Sequence, residues 1–401
     1  MDALELTSYT ATTCLGRGLD AQLVALRHQS SQLHPCDFGD ATIDTWVGTV
    51  AGVDEIRLPA TLSAYECRNI RLAYLGLQMD GFEQAVQAAI RQYGAHRVGV
   101  FLGTSNAGIL ETELGYRQRD PITGALPPGV DYEARHSTYS VVSFIRRYFQ
   151  LSGVSVVIST ACSSSAKTFA AASRMISQGI IDAAIVGGVD SLCYTTLYGF
   201  SSLELTSHQA CRPYDVNRSG LSLGEGAAFA LLERPASQPD LPPDRAAVCL
   251  LGYGETSDAH HMSSPHPQGL GAKMAMERAL SSAGLHPSDI DYINLHGTAT
   301  LSNDLAEGRA VLELFGAQTA CSSTKGHTGH TLGAAGAVEA ILCVLALKHG
   351  IKPGGTNTQT LDAAIGINYL LKNESAGLRY ALSNSFGFGG SNCALVFGLT
   401  P

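Results

Sequence analysis

Residues 154–179 read VSVVISTACSSSAKTFAAASRMISQG. A β-branched run gives way to a turn of small residues and then to an alanine-rich helical pattern that Gly179 ends. Strand, tight turn and helix in that order are the unit of an α/β protein with buried strands. Cys162 stands where the strand passes into the helix. A thiol there meets the positive end of the helix dipole and the free N–H groups of the first turn, which lower its pKa and can stabilise an oxyanion. A small buried cysteine also fits such a place, so the position alone is only suggestive.

Working outward, the same alternation recurs. RVGVFLG (97–103), DAAIVGG (182–188) and DYINLHG (291–297) read as buried strands, and FEQAVQAAIRQYG (82–94) and GAVEAILCVLALKHG (336–350) as helices. The one linker signal is the proline-rich stretch around Arg234 to Asp244. It divides the chain into residues 1–235, carrying Cys162, and residues 236–401. Two internal likenesses support a duplicated α/β unit: VFLGTSNAG (100–108) with INLHGTATL (293–301), and GEGAAFALLER (224–234) with GFGGSNCALVFG (387–398). TACSS also occurs twice, at 160–164 and 319–323, but five common small residues recur by chance.

Composition removes several function classes. The 401 residues include 26 Lys and Arg against 35 Asp and Glu, a formal net charge of -9, so nucleic acid and anionic membrane are not the main theme. Charged residues are only 15%, which indicates a dense and oligomeric protein with much surface buried. The ten cysteines are scattered without any CxxC pair, which fits reduced thiols in cytosol better than disulfides or structural zinc. The N-terminus has no basic run before an apolar stretch and does not look like a signal peptide. The longest apolar segment, Gly333 to Leu347, is interrupted by Glu339 and is shorter than the roughly 20 residues of a membrane span, so a soluble protein is expected.

Two further segments bear on Cys162. DYINLHGTAT puts His296 just after an apolar strand, and STKGHTGHTLGAAGAVEA puts Lys325, His327 and His330 ahead of a small-residue helix. Polar side chains at strand ends of an α/β sheet tend to share a cleft, and a cysteine with imidazoles suits acyl transfer through a thioester. His327 and His330 have the spacing of a metal pair, but matching Cys or carboxylate ligands are missing and no metal is expected. NSFGFGGSNCALVFG (384–398) is neither a dinucleotide fingerprint nor a phosphate loop. It reads as a flexible turn whose amides can approach a ligand, with Phe388 better placed to move than to pack.

Together with CRPYDVNRSGLSLGEGAA (211–228) and SDAHHMSSP (257–265), these segments resemble the β-ketoacyl-acyl-carrier-protein synthases of the elongating Cys-His-His kind, in order and spacing over nearly the whole chain. The resemblance implies an α/β, duplicated thiolase-like fold in five layers, α-β-α-β-α, with mixed sheets and a dimer. It implies decarboxylative condensation of malonyl-carrier protein with an acyl chain on Cys162, and no bound cofactor, the substrates riding on the phosphopantetheine of acyl carrier protein. His296 and His330 would promote decarboxylation and stabilise the enolate. The amides of Cys162 and Phe388 would form the oxyanion hole with Phe388 as gate, and Lys325 and Glu339 the buried pair orienting the histidines. Thr298, Thr300, Phe386 and Ser263 would bind substrate. Asn294, Glu339, Ser383 and Asn384 match a monovalent-cation site.

Departures are visible too. His327 stands where an apolar residue is common, and Leu221 where phenylalanine is. The carrier-protein dock keeps Arg68 and Arg71 and is completed by Arg212, Arg117 and Arg119, yet is sparse. The resemblance puts Asn106 at the position that lines the far end of the acyl tunnel, near the dimer contact, in the elongating synthases. A buried amide needs a partner, so Asn106 is expected to bond across a subunit interface or to a polar substrate end. These differences lean toward a specialised polyene or polyketide pathway over fatty-acid elongation, in a homodimer or a heterodimer with a chain-length-factor subunit, in the cytoplasm. The competing readings are a non-catalytic chain-length-factor-like subunit and a thiolase using Cys393.

Overall fold

The computed structural model describes residues 1–235 and 247–400, and most of the linker signal, with the boundary drawn at 235, lies outside them. Ten strands carry the architecture. The first half contributes β1 (Leu4–Thr13), β2 (Val98–Gly103), β3 (Ser155–Ile158), β4 (Ala183–Asp190) and β5 (Gly226–Glu233). The second contributes β6 (Ala247–Ser257), β7 (Tyr292–Asn294), β8 (Ala320–Ser322), β9 (Tyr380–Gly387) and β10 (Ser391–Thr400). The spatial order is β1-β5-β4-β2-β3 in one half and β6-β10-β9-β7-β8 in the other. In both, the two pairings made by β5 or β10 are antiparallel and the other two are parallel. The expected duplication is therefore real in three dimensions. β2 matches β7 and β5 matches β10, the pairs that the internal likenesses single out. The repeated TACSS is not equivalent, since it follows β3 in one half and spans β8 in the other.

Seven helices complete the layers: α1 (Arg68–Leu77), α2 (Phe82–Tyr93), α3 (Ser140–Phe149), α4 (Ser164–Ser177), α5 (Leu270–Ala283), α6 (Leu301–Phe315) and α7 (Ala335–His349). Helix α4 touches β2 and β4 on one side and β6 and β10 on the other, and α7 likewise touches β4, β5, β9 and β10. They form the central layer, with Phe169, Ile176, Val338 and Ile341 packed between the two sheets. Helices α1, α2 and α3 cover the outer face of the first sheet and α5 and α6 that of the second. The layers are α-β-α-β-α. Strand β2 shows how one segment serves two cores: Phe101 points to the centre while Val100 and Leu102 point to the outer layer, as a period of two requires. The halves join edge to edge at β1 and β6 through Leu4–Leu250 and Glu5–Cys249.

Central helices of this kind are apolar all round. The segment Leu332–His349 is long and apolar enough to cross a membrane, with mean hydropathy 1.6, but 89% of it is buried inside the protein. The two central helices approach closely enough that a Cβ on Gly336 would stand 2.6 Å from the Cβ of Ala166.

Candidate active site

Strand β3 ends at Ile158 and α4 begins at Ser164, and between them Ala161 takes φ 52° in the left-handed region, turning Cys162 toward the second half. Across the cleft, His296 follows β7 and His330 precedes α7. The structure brings all three side chains together: the Cys162, His296 and His330 donor atoms lie within 4.8 Å of one another, all buried. The Cys162 Sγ is 2.9 Å from His330 Nε2, and the two imidazoles meet edge to face at 5.4 Å.

The remaining ring nitrogens fix the proton positions. Leu332 N–H donates to His330 Nδ1 at 3.3 Å, and Lys325 Nζ donates to His296 Nδ1 at 3.3 Å and to His296 O at 2.6 Å. With both Nδ1 atoms accepting, each neutral ring carries its proton on Nε2, facing the cleft. Burial, with the Lys325 charge beside them, holds both imidazoles well below the ordinary histidine range, so they are neutral. Lys325 is in turn paired with Glu339, whose carboxyl burial raises to about 7.

The thiol departs from expectation. Burial pushes Cys162 up to about 11, and the Lys325 charge and the Phe388 N–H only partly offset it. Helix-terminus stabilisation, which favours thiolate, loses here to desolvation. Cys162 at rest is a protonated thiol.

A cleft opens onto these groups, lined by Cys162, His296, His330, Thr298, Thr300, Ser263, Phe386 and Phe388 among others. Phe388 leans on Phe200 at 5.5 Å, and its amide faces Cys162. Residues missed in the sequence also line it: Asp258, Asn303, Phe200 and Leu205. Asp258 accepts from Asn392 Nδ2 at 2.8 Å and donates its own N–H to Gly390 O at 2.9 Å, tying the 258–266 loop to the Phe388 turn. The SDAHHMSSP string (257–265) was the available signal for that loop.

Other residues singled out in the sequence lie outside this cleft. Asn106 is buried, but its Nδ2 donates to Ser191 O within the chain at 3.1 Å, and it does not line this cleft. Arg68 is not offered at the surface: its side chain is 8% exposed, clamped by Glu225 and Asp54. Arg71 pairs with Glu66, and Arg117 pairs with Asp40 at 2.8 Å. Arg119 and Arg212 make no ion pair among the described residues, Arg119 exposed and Arg212 half-buried. His327 turns away from the cleft, its Nδ1 against Ser30 O at 2.8 Å and its Nε2 against Thr356 Oγ1 at 2.7 Å. It shares no metal position with His330. Cys393 is fully buried in β10, outside the cleft.

Two ion sites can be tested on their donors. The Cys162, His296 and His330 atoms are close enough for a metal, but a ligating imidazole gives Nε2 to the metal and needs an acceptor for Nδ1–H. Here both Nδ1 atoms face donors, so the set does not fit. Of the other candidate, Glu339 Oε2, Ser383 Oγ and Asn384 Oδ1 are buried without a hydrogen-bond partner, as is the neighbouring Ser385 Oγ, but Asn384 turns its amide to Glu307 and Met276 on the outer face of β9, away from Glu339 on the central helix. The fourth residue of that candidate, Asn294, bonds Thr324 Oγ1 at 3.2 Å.

The beta-ketoacyl synthase N-terminal domain matches residues 75–237 and its C-terminal domain residues 247–359. A 3-oxoacyl-[acyl-carrier-protein] synthase 2 of Vibrio cholerae is 32% identical over 326 residues, covering 77% of each chain. A mitochondrial 3-oxoacyl-[acyl-carrier-protein] synthase of Arabidopsis thaliana is 40% identical over 256 residues, which are 59% of this chain but only 55% of that relative. Among solved structures, a ketosynthase in complex with its chain length factor from Xenorhabdus doucetiae superposes with TM-score 0.89 at 35% identity, covering 100% of this chain and 98% of that one. A beta-ketoacyl synthase from Burkholderia phymatum gives 0.87 at 26% identity, covering all of both chains.

Proposed function

Because the chain belongs to the β-ketoacyl synthase family, we propose that it is an acyltransferase, a 3-oxoacyl-[acyl-carrier-protein] synthase that condenses malonyl-carrier protein with an acyl chain held on Cys162. The observation that carries this reading is the convergence of the Cys162 thiol, two neutral imidazoles with Nε2–H facing the cleft, and the Phe388 amide. Cys162 loses its proton as it attacks the acyl thioester, and the departing pantetheine thiolate takes one up. Malonyl thioester then enters and loses carbon dioxide. The two Nε2–H groups donate to its carbonyl oxygen as negative charge gathers there, which is where donors contribute most. The enolate carbon attacks the Cys162 thioester, the C–S bond breaks, and the free thiol is restored by one proton. The Phe388 N–H stabilises the tetrahedral oxyanion.

Thr298, Thr300 and Ser263, which line the cleft, would take the pantetheine arm, and Arg119 and Arg212 remain for an acidic carrier protein. A monovalent cation held by Glu339 and Ser383 would supply only charge balance. Ten free cysteines fit a reducing cytoplasm. The sparse dock supports a specialised polyene or polyketide pathway, and the Xenorhabdus doucetiae complex a chain-length-factor partner.

A non-catalytic subunit has no use for the Cys162–His330 contact, and a thiolase needs a second cysteine in the cleft. The test is digestion and mass spectrometry after incubation with acyl-carrier protein thioester. The adduct is expected on Cys162; an adduct on Cys193 or Cys321 with Cys162 free overturns the assignment.

A further inference from the structure

Asp190, the last residue of β4, is fully buried and meets no cation among the described residues. Its Oδ1 accepts from Thr104 Oγ1 at 2.6 Å, Asn106 N at 2.9 Å and Ser105 N at 3.0 Å, and its Oδ2 from Ser105 N at 2.8 Å and Gly333 N at 2.6 Å. These donors lead to both sides of the cleft. Ser105 Oγ donates to the carbonyl of Ala161, next to Cys162, at 3.4 Å. Gly333 follows Leu332, whose N–H fixes the His330 ring. Ala161 and Leu332 are both non-glycine residues in the left-handed region, at φ 52° and 54°. Such conformations persist only where the surroundings over-determine them. Contact there is tight: a Cβ on Gly333 would lie 2.6 Å from Asp190 Oδ2 and 2.7 Å from Ser105 N.

We propose that Asp190 is a positioning residue of this site, its carboxylate holding the nucleophile turn and the His330 turn in their strained conformations so that Cys162 Sγ and His330 Nε2 stay in register. The kinetic part of this proposal rests on the condensing activity; the geometric part does not. The carboxylate acts through hydrogen bonds and also through charge. Its field is one of the influences that raise the Cys162 thiol.

The test is Asp190→Asn, which keeps the shape and removes the charge. The first readout is the pH profile of Cys162 alkylation by iodoacetamide, followed by mass spectrometry, which requires no substrate. Wild-type reactivity should rise toward about pH 11. Lys325, Glu339, His296 and His330 also face the thiol and are untouched, so loss of the Asp190 anion should shift the profile to lower pH. The second readout is malonyl-carrier protein decarboxylation, whose kcat should fall by up to about 100-fold, as a misplacement near 1 Å can cause, with KM nearly unchanged. Asp190→Glu restores the charge and should return the alkylation profile toward wild type while kcat stays low. A folded Asp190→Asn protein with wild-type profile and wild-type kcat overturns the proposal. If Asp190→Asn does not fold, Thr104→Val, which removes only the hydroxyl donor, decides: reduced kcat at constant KM supports the role, and wild-type kcat overturns it. An alkylation shift without any condensing activity would leave the positioning intact and overturn the reaction instead.

Discussion

At the scale of single residues, the direction of a proton on an imidazole is set by what its other nitrogen touches. Lys325 and the Leu332 amide settle this for His296 and His330, so both rings are donors toward the cleft and neither is a base at rest. Replacing either by alanine should therefore suppress malonyl decarboxylation by about 100-fold or more, the range of a lost oxyanion donor, while leaving measurable acyl loading of Cys162. Equal loss of the two half-reactions, measured by carbon dioxide release and by intact mass, would refute the division. Cys162 and His296 were legible in the sequence because each follows a strand end in a run of small residues, and Lys325 and His330 because they share the run of small residues ahead of α7. The thiol's pKa was not, since the helix terminus is written locally and the depth of burial is not. Arg68 misled for a similar reason: its partner Glu225 lies 157 residues away.

At the scale of elements, the central helices α4 and α7 pack with almost no gap where Gly336 meets Ala166. Alanine is ordinarily favoured over glycine in a helix by about 0.5 to 1 kcal/mol, yet overpacking a close contact costs about 1 to 3 kcal/mol. The steric term should win at 2.6 Å. Gly336→Ala is expected to lower the denaturant midpoint of unfolding, and a gain in stability would show that the helices can separate freely. The strands and helices themselves were readable from their periods, down to the duplicated pairs β2 with β7 and β5 with β10. The 258–266 loop was not, because Asp258 and its neighbours have no periodic pattern and gain their role only through hydrogen bonds to the Phe388 turn.

Across the whole molecule, Lys325 and Glu339 tie the second half's catalytic turn to its central helix, with side chains 1% and 3% exposed. A buried charge stripped of its partner typically costs about 3 to 5 kcal/mol, whereas replacing both members by apolar residues costs far less. Lys325→Met should thus be unstable, and the double variant Lys325→Met with Glu339→Leu should regain much of the stability in chemical denaturation without regaining activity. A double variant less stable than the single one would argue against pairing as the reason for their burial. At the far end of the first sheet, β3 pairs only with β2 among the described residues and is half-buried throughout. That edge leads directly into the turn of Cys162. The common strand order of the two halves reaches further still. Cys162 and His330 hold corresponding posts, each just ahead of the central helix of its own half. One copy has kept the nucleophile and the other the imidazoles, a division of labour within a single chain. Severed at the seam, it would leave a thiol with nothing to answer it and two histidines with nothing to serve.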